Sequence, residues 1–291
     1  MIAYNPKEWY KSVVYFHQSD TFRKLFPFLL IMAIYSGGIA YFELEYLKLS
    51  SKSWLKEITT VHSLLGFVIS MLLVFRTNSA YDRWWEGRKQ WGALTNISRS
   101  LAIKINAVLD KDDLEYRTFF KQTIPMYSKA LFSFLRSDYS IFMLDEDYEY
   151  EINMQEKHGP NQIANLMNQK VNELYKTKKI TGDQLIILDK ELIEFTNICG
   201  ACERIKNTPI PFSYSSFIKK FIVLYVLTLP IGLVFSMGYF VALAVPFIFY
   251  VLASMELIAE MIEEPFGIDP DDLPIEQITN NIKKHVREIL D

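Results

Sequence analysis

The sequence has little cysteine, little histidine and no surplus of positive charge. Two cysteines in 291 residues are too few for a disulfide framework. The 31 Lys and Arg are outnumbered by 34 Asp and Glu, so the basic surface that binds nucleic-acid phosphates is missing and no nucleic-acid partner is expected. Apolar residues are plentiful at 50%, which excludes a disordered protein.

Motifs that mark common enzyme active sites are also missing. The sequence contains no GxGxxG, no P-loop and no GxSxG, and its four histidines (17, 62, 158 and 285) show no HxH or HxxxH spacing. Cys199 and Cys202 have the spacing of a redox or zinc pair, but they come late in a helical pattern and no second pair follows. We therefore expect them to be small core residues, and we expect no enzyme activity and no required cofactor.

Charge is absent from three long stretches of the chain. Residues 25–42 and 58–75 have no charged side chain over 18 residues each, and residues 221–255 have none over 35. A bilayer core about 30 Å thick needs about 17–25 apolar residues per helix, so the longest stretch fits two short helices joined by a turn. A soluble core could contain one such stretch, but three in one chain favour a membrane protein. The sequence predicts four transmembrane helices, at about 25–44, 58–76, 218–235 and 238–256.

The distribution of basic residues predicts which side of the membrane holds the termini. Four spans place both termini on one side, and no cleavable signal peptide precedes the first span. Lys and Arg cluster before span one, after span two and before span three, whereas the turn between spans three and four has none. Lys48, Lys52 and Lys56 between spans one and two weaken this asymmetry without reversing it. We expect a multi-pass protein of the plasma membrane with cytoplasmic N and C termini.

Helical patterns dominate the segment between spans two and three. Apolar residues recur every three or four positions in 90–109, and 113–136 and 161–178 repeat the pattern. Pro160 suits a first helical turn, and Thr181 with Gln184 is a capping-box pattern that opens a helix over 182–205. The acidic, aperiodic segment 138–159 is expected to be a loop. The predicted fold is all-α, in four segments: 1–76 with spans one and two, 77–217 as a cytosolic helical domain, 218–256 with spans three and four, and 257–291 as a cytosolic C-terminal segment.

A run of carboxylates follows span four. Glu256, Glu260 and Glu263 share one helix face by their spacing, and the simplest interpretation is a solvated helix end that faces basic groups. Asp269 and Asp272 lie in the following turn, where their carboxylate oxygens are the ligand type that Ca²⁺ prefers. The spacing is not that of an EF-hand loop. Ca²⁺ is thus the one cofactor that these residues suggest.

Three stretches together resemble a known family. They are FRTNSAYDRWWEGRKQWG (75–92), CERIKNTPIPFSY (202–214) and EEPFGIDPDDLP (263–274), and they resemble the signature segments of the bestrophins, in the bacterial branch. The resemblance extends over nearly the whole chain. It implies a homopentameric ion channel of the bacterial inner membrane, with one pore on the five-fold axis lined by the second helix. It also implies a narrow apolar neck in the membrane and a second constriction in the cytosol.

Span two contains an apolar stripe that fits such a neck. Thr60, Leu64, Phe67, Met71 and Phe75 recur at spacings of three and four and so share one helix face. The resemblance implies three rings about one turn apart, which we assign to Phe67, Met71 and Phe75, with Leu64 next. Apolar rings of this kind can gate by excluding water. The alternative is that the stripe packs against the other spans.

His62 is a titratable residue at the start of span two. A titratable group inside a membrane is costly without a role. We expect His62 near the membrane interface, where a solvated histidine costs little, with a role in the pore as the alternative.

Two further assignments follow from the resemblance. The cytosolic constriction should lie early in helix 182–205, around Gln184, Leu185 and Leu188. In animal relatives the acidic run after the Pro-Phe-Gly turn binds Ca²⁺ and couples it to gating, and Asp269 and Asp272 stand at comparable positions in this sequence. These two residues are therefore the candidate Ca²⁺ ligands.

The predicted function is a homopentameric channel that conducts small monovalent ions. By resemblance these are chloride or other anions, and a bacterial member can instead pass cations. The expected partners are membrane lipid, further copies of the chain and the ions themselves. A different class of function stays open, in which the four helices anchor a scaffold or sensor protein that does not conduct.

Overall fold

The computed structural model of the chain describes residues 20–48, 57–138, 140, 152 and 156–291. In this part of the chain all regular secondary structure is helical, which confirms the all-α prediction. Most of the predicted loop 138–159 lies outside the described residues, as do His17, Lys52 and Lys56.

Eight α-helices are described. In chain order they are α1 (Asp20–Tyr41), α2 (Ile58–Val108), α3 (Leu114–Arg136), α4 (Gly159–Lys176), α5 (Gly182–Asn207), α6 (Phe212–Met237), α7 (Val241–Glu263) and α8 (Ile275–Leu290). A π-helical turn, Phe42–Tyr46, follows α1, and a 3₁₀ turn, Gly238–Phe240, separates α6 from α7.

Helix α2 runs without a break over 51 residues. The predicted span 58–76 and the predicted amphipathic helix 90–109 are therefore parts of one helix, about 76 Å long at 1.5 Å per residue. Proline is absent from this range, and none of its three glycines has a left-handed backbone. Since no residue in the range breaks a helix, α2 continues until the turn around Asp110–Asp113.

The chain divides into two compact units. The span unit contains the described residues of 20–82 and 210–263, and the insert unit contains those of 83–209 and 264–291. The boundaries between the two units lie at Asp82/Arg83, Pro209/Ile210 and Glu263/Glu264. The boundaries between the predicted segments lie after residues 76, 217 and 256. The division into four segments stays a prediction, but residues 264–291 share the core of the insert unit.

The span unit is built around a continuous apolar core. Side chains from α1, the first part of α2, α6 and α7 form it: Leu25, Met32, Ala40, Ile69, Leu73, Ile218, Ile222, Val226, Leu229, Val234, Val241, Val245 and Phe249. Three stretches in the described part of the chain are long and apolar enough to cross a membrane, namely Thr21–Tyr46, Ile58–Val108 and Phe212–Glu263.

The third of these stretches folds back on itself as a helical hairpin. Gly238 has a φ of 55°, in the left-handed region that glycine tolerates, and α6 ends there. The far ends of the two arms meet, since Lys219 Nζ lies 2.8 Å from Glu260 Oε2 and the Ile210 N–H donates to Glu263 Oε1 at 2.8 Å. The two arms, α6 and α7, therefore run antiparallel.

The insert unit has its own aromatic core. Trp91, Phe120, Tyr127 and Phe195 are fully buried in it, and the Tyr127 hydroxyl donates to the Phe195 carbonyl oxygen at 2.6 Å. Both predicted helix starts are confirmed. Pro160 lies in the first turn of α4, and the capping box of α5 is complete, because Thr181 and Gln184 each accept the other's backbone N–H.

Candidate pore face and acidic turn

The predicted neck residues lie on the outer face of α2 in the span unit. Leu64, Phe67, Met71 and Phe75 are 67%, 70%, 46% and 56% exposed. Thr60, at one end of the stripe, is exposed too, and so is Asn78, one turn beyond Phe75. The stripe is thus an apolar segment between two polar residues on the same helix face.

The opposite face of α2 enters the core of the span unit. Ile69 and Leu73 are buried there, and they alternate with the exposed residues at the spacing of an α-helix. The alternative that the stripe packs against the other helices of its own chain is therefore wrong. Nothing in the described part of the chain covers these large apolar side chains.

His62 also lies on the buried face. Its Nδ1 is 2.9 Å from the Ile58 carbonyl oxygen, which can only accept, and its Nε2 is 2.9 Å from Thr228 Oγ1 on α6. Both ring nitrogens therefore have partners inside the bundle, and the side chain is only 5% exposed. The alternatives of a solvated histidine and of a pore histidine are both wrong, because His62 connects α2 to α6.

An unpredicted charged cluster closes the apolar part of α2. Arg76 is 1% exposed, and its Nη2 lies 2.6 Å from Glu263 Oε2 while its Nε lies 3.5 Å from Glu256 Oε1. Glu256 is buried as well, so the prediction of a solvated helix end is wrong for this residue. Glu260 alone of the three glutamates forms an exposed pair, with Lys219. From the sequence, Arg76 is one of the Lys and Arg residues that cluster at the end of span two, and nothing local pairs it with the glutamates at the end of span four.

The three stretches that carry the family resemblance meet in the insert unit. Arg83 on α2 donates to the Ile205 carbonyl oxygen at 2.6 Å and to that of Thr208. One turn later, Gly87 lies so close to the turn after α7 that an added Cβ would be 3.1 Å from the buried Phe266 ring. Trp84 Nε1 donates to the Asp271 carbonyl oxygen at 3.0 Å. The parts of the signature segments that lie in the insert unit thus pack together, and a Cβ at Gly87 would be tight against Phe266.

The acidic turn is organised around a buried Asp272. Its Oδ2 accepts the Asp269 N–H at 2.6 Å and lies only 2.7 Å from the position that a Cβ added to Gly267 would take. Its Oδ1 is buried without a hydrogen-bond partner. Burial raises the pKa of Asp272 to about 6, against the opposing effect of the Asp269 hydrogen bond. Asp269 is exposed, so only one of the two candidate ligands has an enclosed, unpartnered oxygen.

A cavity of about 350 Å³ borders this turn. Glu264, Asp269 and Asp272 line it with carboxylates, and Arg136 and Lys206 line it with positive charge. Burial lowers the pKa of Lys206, whose Nζ donates to Ser137 Oγ and to the Phe134 carbonyl oxygen. The carboxylate oxygens are the type of ligand that a hard cation prefers, while Arg136 and Lys206 offset part of the negative charge of the carboxylates.

The residues predicted for the cytosolic constriction have other roles in the structure. Leu188 is buried in the core of the insert unit, so its placement at an opening is wrong in this register. Gln184 uses its side chain in the capping box, and Leu185 packs against the core. Ile186 and Ile187, which were not assigned, are exposed at the same place in α5.

The cysteine pair and its surroundings do not form a metal centre. Cys199 and Cys202 are buried and unpaired, and burial raises the pKa of the Cys199 thiol to about 12. His158, Cys199 and Glu203 place ligand atoms within 4.8 Å of one another. However, His158 Nδ1 accepts the Asn161 N–H, so its Nε2 must carry the proton that it donates to Glu203. With both nitrogens in use, His158 is a helix cap, and the prediction that the cysteines are core residues is confirmed.

Comparison with known proteins places these features in a family. The sequence matches the family model described as "Bacterial/Fungal Bestrophin protein" over residues 1–288. A "Voltage-dependent anion channel-forming protein" from Nostoc sp. is 32% identical over 77% of this chain and 75% of its own length. YneE from Escherichia coli O157:H7, which bears the same description, is 30% identical over 97% of this chain and 92% of its own length.

Solved structures show the same similarity. A bacterial bestrophin homolog from Klebsiella pneumoniae, solved by Zn-SAD phasing, superposes with a TM-score of 0.78 at 26% identity, covering 91% of this chain and 98% of the homolog. A variant of that homolog gives a TM-score of 0.80 at 26% identity, over 92% and 100% of the two chains.

The pH dependence of stability should isolate Asp272. Because its pKa is higher in the folded chain, about 6, than its ordinary 3.8, the stability gained from its proton is fully present below about pH 4 and is lost as the pH rises through 6. The difference corresponds to about 3 kcal/mol at most. Asp272→Asn cannot titrate, so melting curves in chelator should show wild type losing stability relative to this variant between about pH 4 and pH 6.5.

Asp271→Asn is the matched control, since Asp271 is an exposed neighbour in the same turn. Its pH dependence should follow that of wild type. Parallel wild-type and Asp272→Asn curves over the whole range would contradict the account of Asp272.

Proposed function

This chain belongs to the bacterial and fungal bestrophin family, and from that premise we propose that it is one subunit of a homopentameric channel for small monovalent ions. Its relatives are named as channel-forming proteins, and the chain is a membrane channel protein rather than an enzyme. The observation that carries the assembly of several subunits is the exposed apolar stripe on α2, which the described part of the chain leaves uncovered. The number five follows from the family resemblance.

The membrane part of this proposal uses four spans. They are α1, the first part of α2, and the two arms of the hairpin, α6 and α7. The antiparallel hairpin supports the division of the longest apolar stretch into two crossings, because each arm has enough residues for one. The asymmetry of Lys and Arg then favours cytoplasmic termini and an insert unit on the cytoplasmic side of the inner membrane.

The pore forms between subunits in this proposal. A bundle of four helices whose interior is filled by an apolar core has no room for a hydrated path. Copies related by cyclic symmetry can instead bring the same face of α2 to a common axis. Five copies of Phe67, Met71 and Phe75 then form three stacked apolar rings, with Leu64 contributing a fourth position.

Such rings oppose the passage of ions. An ion that enters them loses hydrating water and gains no oxygen ligand, so the neck acts as a barrier that closes when water leaves it. The rings carry no charge and do not themselves choose between anions and cations. The names of the relatives favour anions such as chloride, with cations as the alternative for this chain.

The second constriction is assigned to α5 in a corrected register. Ile186 and Ile187 replace Leu188, because they are the exposed apolar side chains near the start of this helix. Their exposure is unexplained within one chain. We place them at the cytosolic opening of the assembled ring.

Asp269 and Asp272 are proposed as ligands for Ca²⁺. The unpartnered, buried Oδ1 of Asp272 supports this assignment, and so does the oxygen-lined cavity beside it. A bound divalent cation would supply positive charge to the buried carboxylate. The residues of this chain hold the turn in shape through the Asp269 N–H and the Leu273 N–H, which donates to the Pro265 carbonyl oxygen at 3.0 Å.

Removal of the neck rings should open the channel. In the triple variant Phe67→Ala, Met71→Ala and Phe75→Ala, the barrier widens and retains water, so single-channel recording should show a higher open probability or conductance. Ion selectivity should change less, because no charged group is removed. Light scattering of wild type and variant in detergent should give about five times the chain mass, since these side chains do not hold the subunit's own core.

A matched triple variant, Ile34→Ala, Leu224→Ala and Leu243→Ala, removes equally exposed apolar side chains from α1, α6 and α7. It should conduct like wild type. Pentameric neck variants that also conduct like wild type would refute the gate, and wild-type protein without ion flux would favour a scaffold or sensor.

Ca²⁺ binding should raise thermal stability by mass action. Millimolar Ca²⁺ should raise the melting temperature of wild type, and the double variant Asp269→Ala and Asp272→Ala should lose the gain. Asp271→Ala serves as the control and should keep it. If wild type shows no Ca²⁺-dependent shift and conducts fully in chelator, the acidic turn is structural only.

A further inference from the structure

We propose that Arg76, Glu256 and Glu263 are positioning residues that hold the neck face of α2 toward the pore. The proposal rests on the pore function assigned above. It goes beyond that function because it concerns side chains on the face of α2 that never meets an ion. These three residues set where the Phe75 ring lies.

Arg76 directly follows the neck residue Phe75 on α2. The two side chains point to different faces, since Phe75 is 56% exposed and Arg76 is 1% exposed. The planar guanidinium of Arg76 contacts two carboxylates on α7, Glu263 at 2.6 Å and Glu256 at 3.5 Å. A fork held by two acceptors is fixed in direction as well as in distance.

Glu263 extends this contact to a third segment. Its Oε2 faces Arg76, and its Oε1 accepts the Ile210 N–H at 2.8 Å, just before α6 begins. One carboxylate of α7 therefore contacts both α2 and the residue that precedes α6. A shift of Arg76 along or around α2 would break both of its contacts with α7 together.

A second polar contact holds the other end of the same helical segment. His62 precedes Arg76 by 14 residues, and its ring forms a hydrogen bond with Thr228 on α6 at 2.9 Å. Fourteen residues are close to four helical turns, about 21 Å, so both side chains lie on nearly the same face. All of the neck residues, from Leu64 to Phe75, lie between these two contacts.

Apolar contacts alone would not fix the rotation of this segment. Ile69 and Leu73 lie between the two polar contacts, and their burial is favourable without being directional. The polar contacts at both ends are directional, so together they define which residues of α2 stay outside the bundle. Rotation of α2 by one residue would move Phe67, Met71 and Phe75 off a common axis.

The unequal numbers of positive and negative charges in the cluster make it a poor source of folding stability. One guanidinium faces two carboxylates, and both Arg76 Nη1 and Glu256 Oε2 are buried without a partner. Buried ion clusters of this kind are often replaced by apolar residues without loss of stability. A costly and incompletely paired cluster beside the neck is therefore better explained by the geometry it imposes.

Arg76→Lys is the first test of the proposal. Lysine keeps the charge but loses the planar fork, so it can hold only one of the two carboxylates. Pentamers of this variant should assemble, and their open probability should differ from wild type on the order of three-fold or more. Lys219→Gln with Glu260→Gln removes an exposed ion pair of the same hairpin and should leave gating unchanged.

Coupling to the neck separates positioning from a structural role. If Arg76 acts through the Phe75 ring, Arg76→Lys should have little further effect in a Phe75→Ala background, so the two effects should not multiply. Effects that multiply independently would overturn the proposal. So would Arg76→Lys pentamers that conduct like wild type.

A neutral variant keeps the test decisive if Arg76→Lys does not assemble. A triple variant combines Arg76→Met, Glu256→Met and Glu263→Gln. It removes the charges of the cluster and retains an acceptor for the Ile210 N–H. It should form pentamers that melt like wild type and still show altered gating. Failure to assemble, or wild-type gating, would overturn the proposal, whereas wild-type protein without flux would instead overturn the pore function on which it rests.

Discussion

The contact of Arg76 with Glu256 and Glu263 is the constraint on which the orientation of α2 in the span unit depends. It ends the apolar segment of α2, joins that segment to α7 and, through Glu263, reaches the start of α6. Burial of Arg76 and Glu256 is costly, and the structure bears this cost beside the apolar stripe that we assign to the pore. With Arg76 inside, the helix must present Phe67, Met71 and Phe75 outside.

The insert unit combines close packing with hydrogen bonds from Arg83. Gly87 allows the Phe266 ring and the turn before it to approach α2, and Arg83 binds the carbonyl oxygens at the end of α5. Contacts with α2 therefore hold the acidic turn in place without a bound ligand. Its unusual feature is the single unpartnered oxygen of Asp272, a buried acid whose pKa is raised by desolvation.

Features set by local sequence could be predicted. Absence of charge identified the apolar helices, the Thr181–Gln184 capping box placed the start of α5, and helical spacing placed Leu64, Phe67, Met71 and Phe75 on one face. Each depends on residues close together in the chain. No partner from elsewhere in the fold is needed to recognise them.

Features set by distant partners could not be predicted. Arg76 looked like a basic residue at the end of a span because the two glutamates that it contacts lie 180 or more residues later. His62 looked like an interfacial residue because its partner Thr228 is 166 residues away. The register of α5 failed for a related reason, since Leu185, Ile186, Ile187 and Leu188 are all apolar and only packing shows which ones are buried.

Accessibility of the α2 stripe from water tests the central claim most directly. The native Cys199 and Cys202 are buried, and burial raises their thiol pKa values, so they should not react with a charged, membrane-impermeant thiol reagent. Met71→Cys should react and lose current, whereas Ile34→Cys, at an apolar position on α1 that is more exposed in the single chain, should keep its current in the membrane. A Met71→Cys channel that stays unmodified and fully conducting would show that this face does not line the pore.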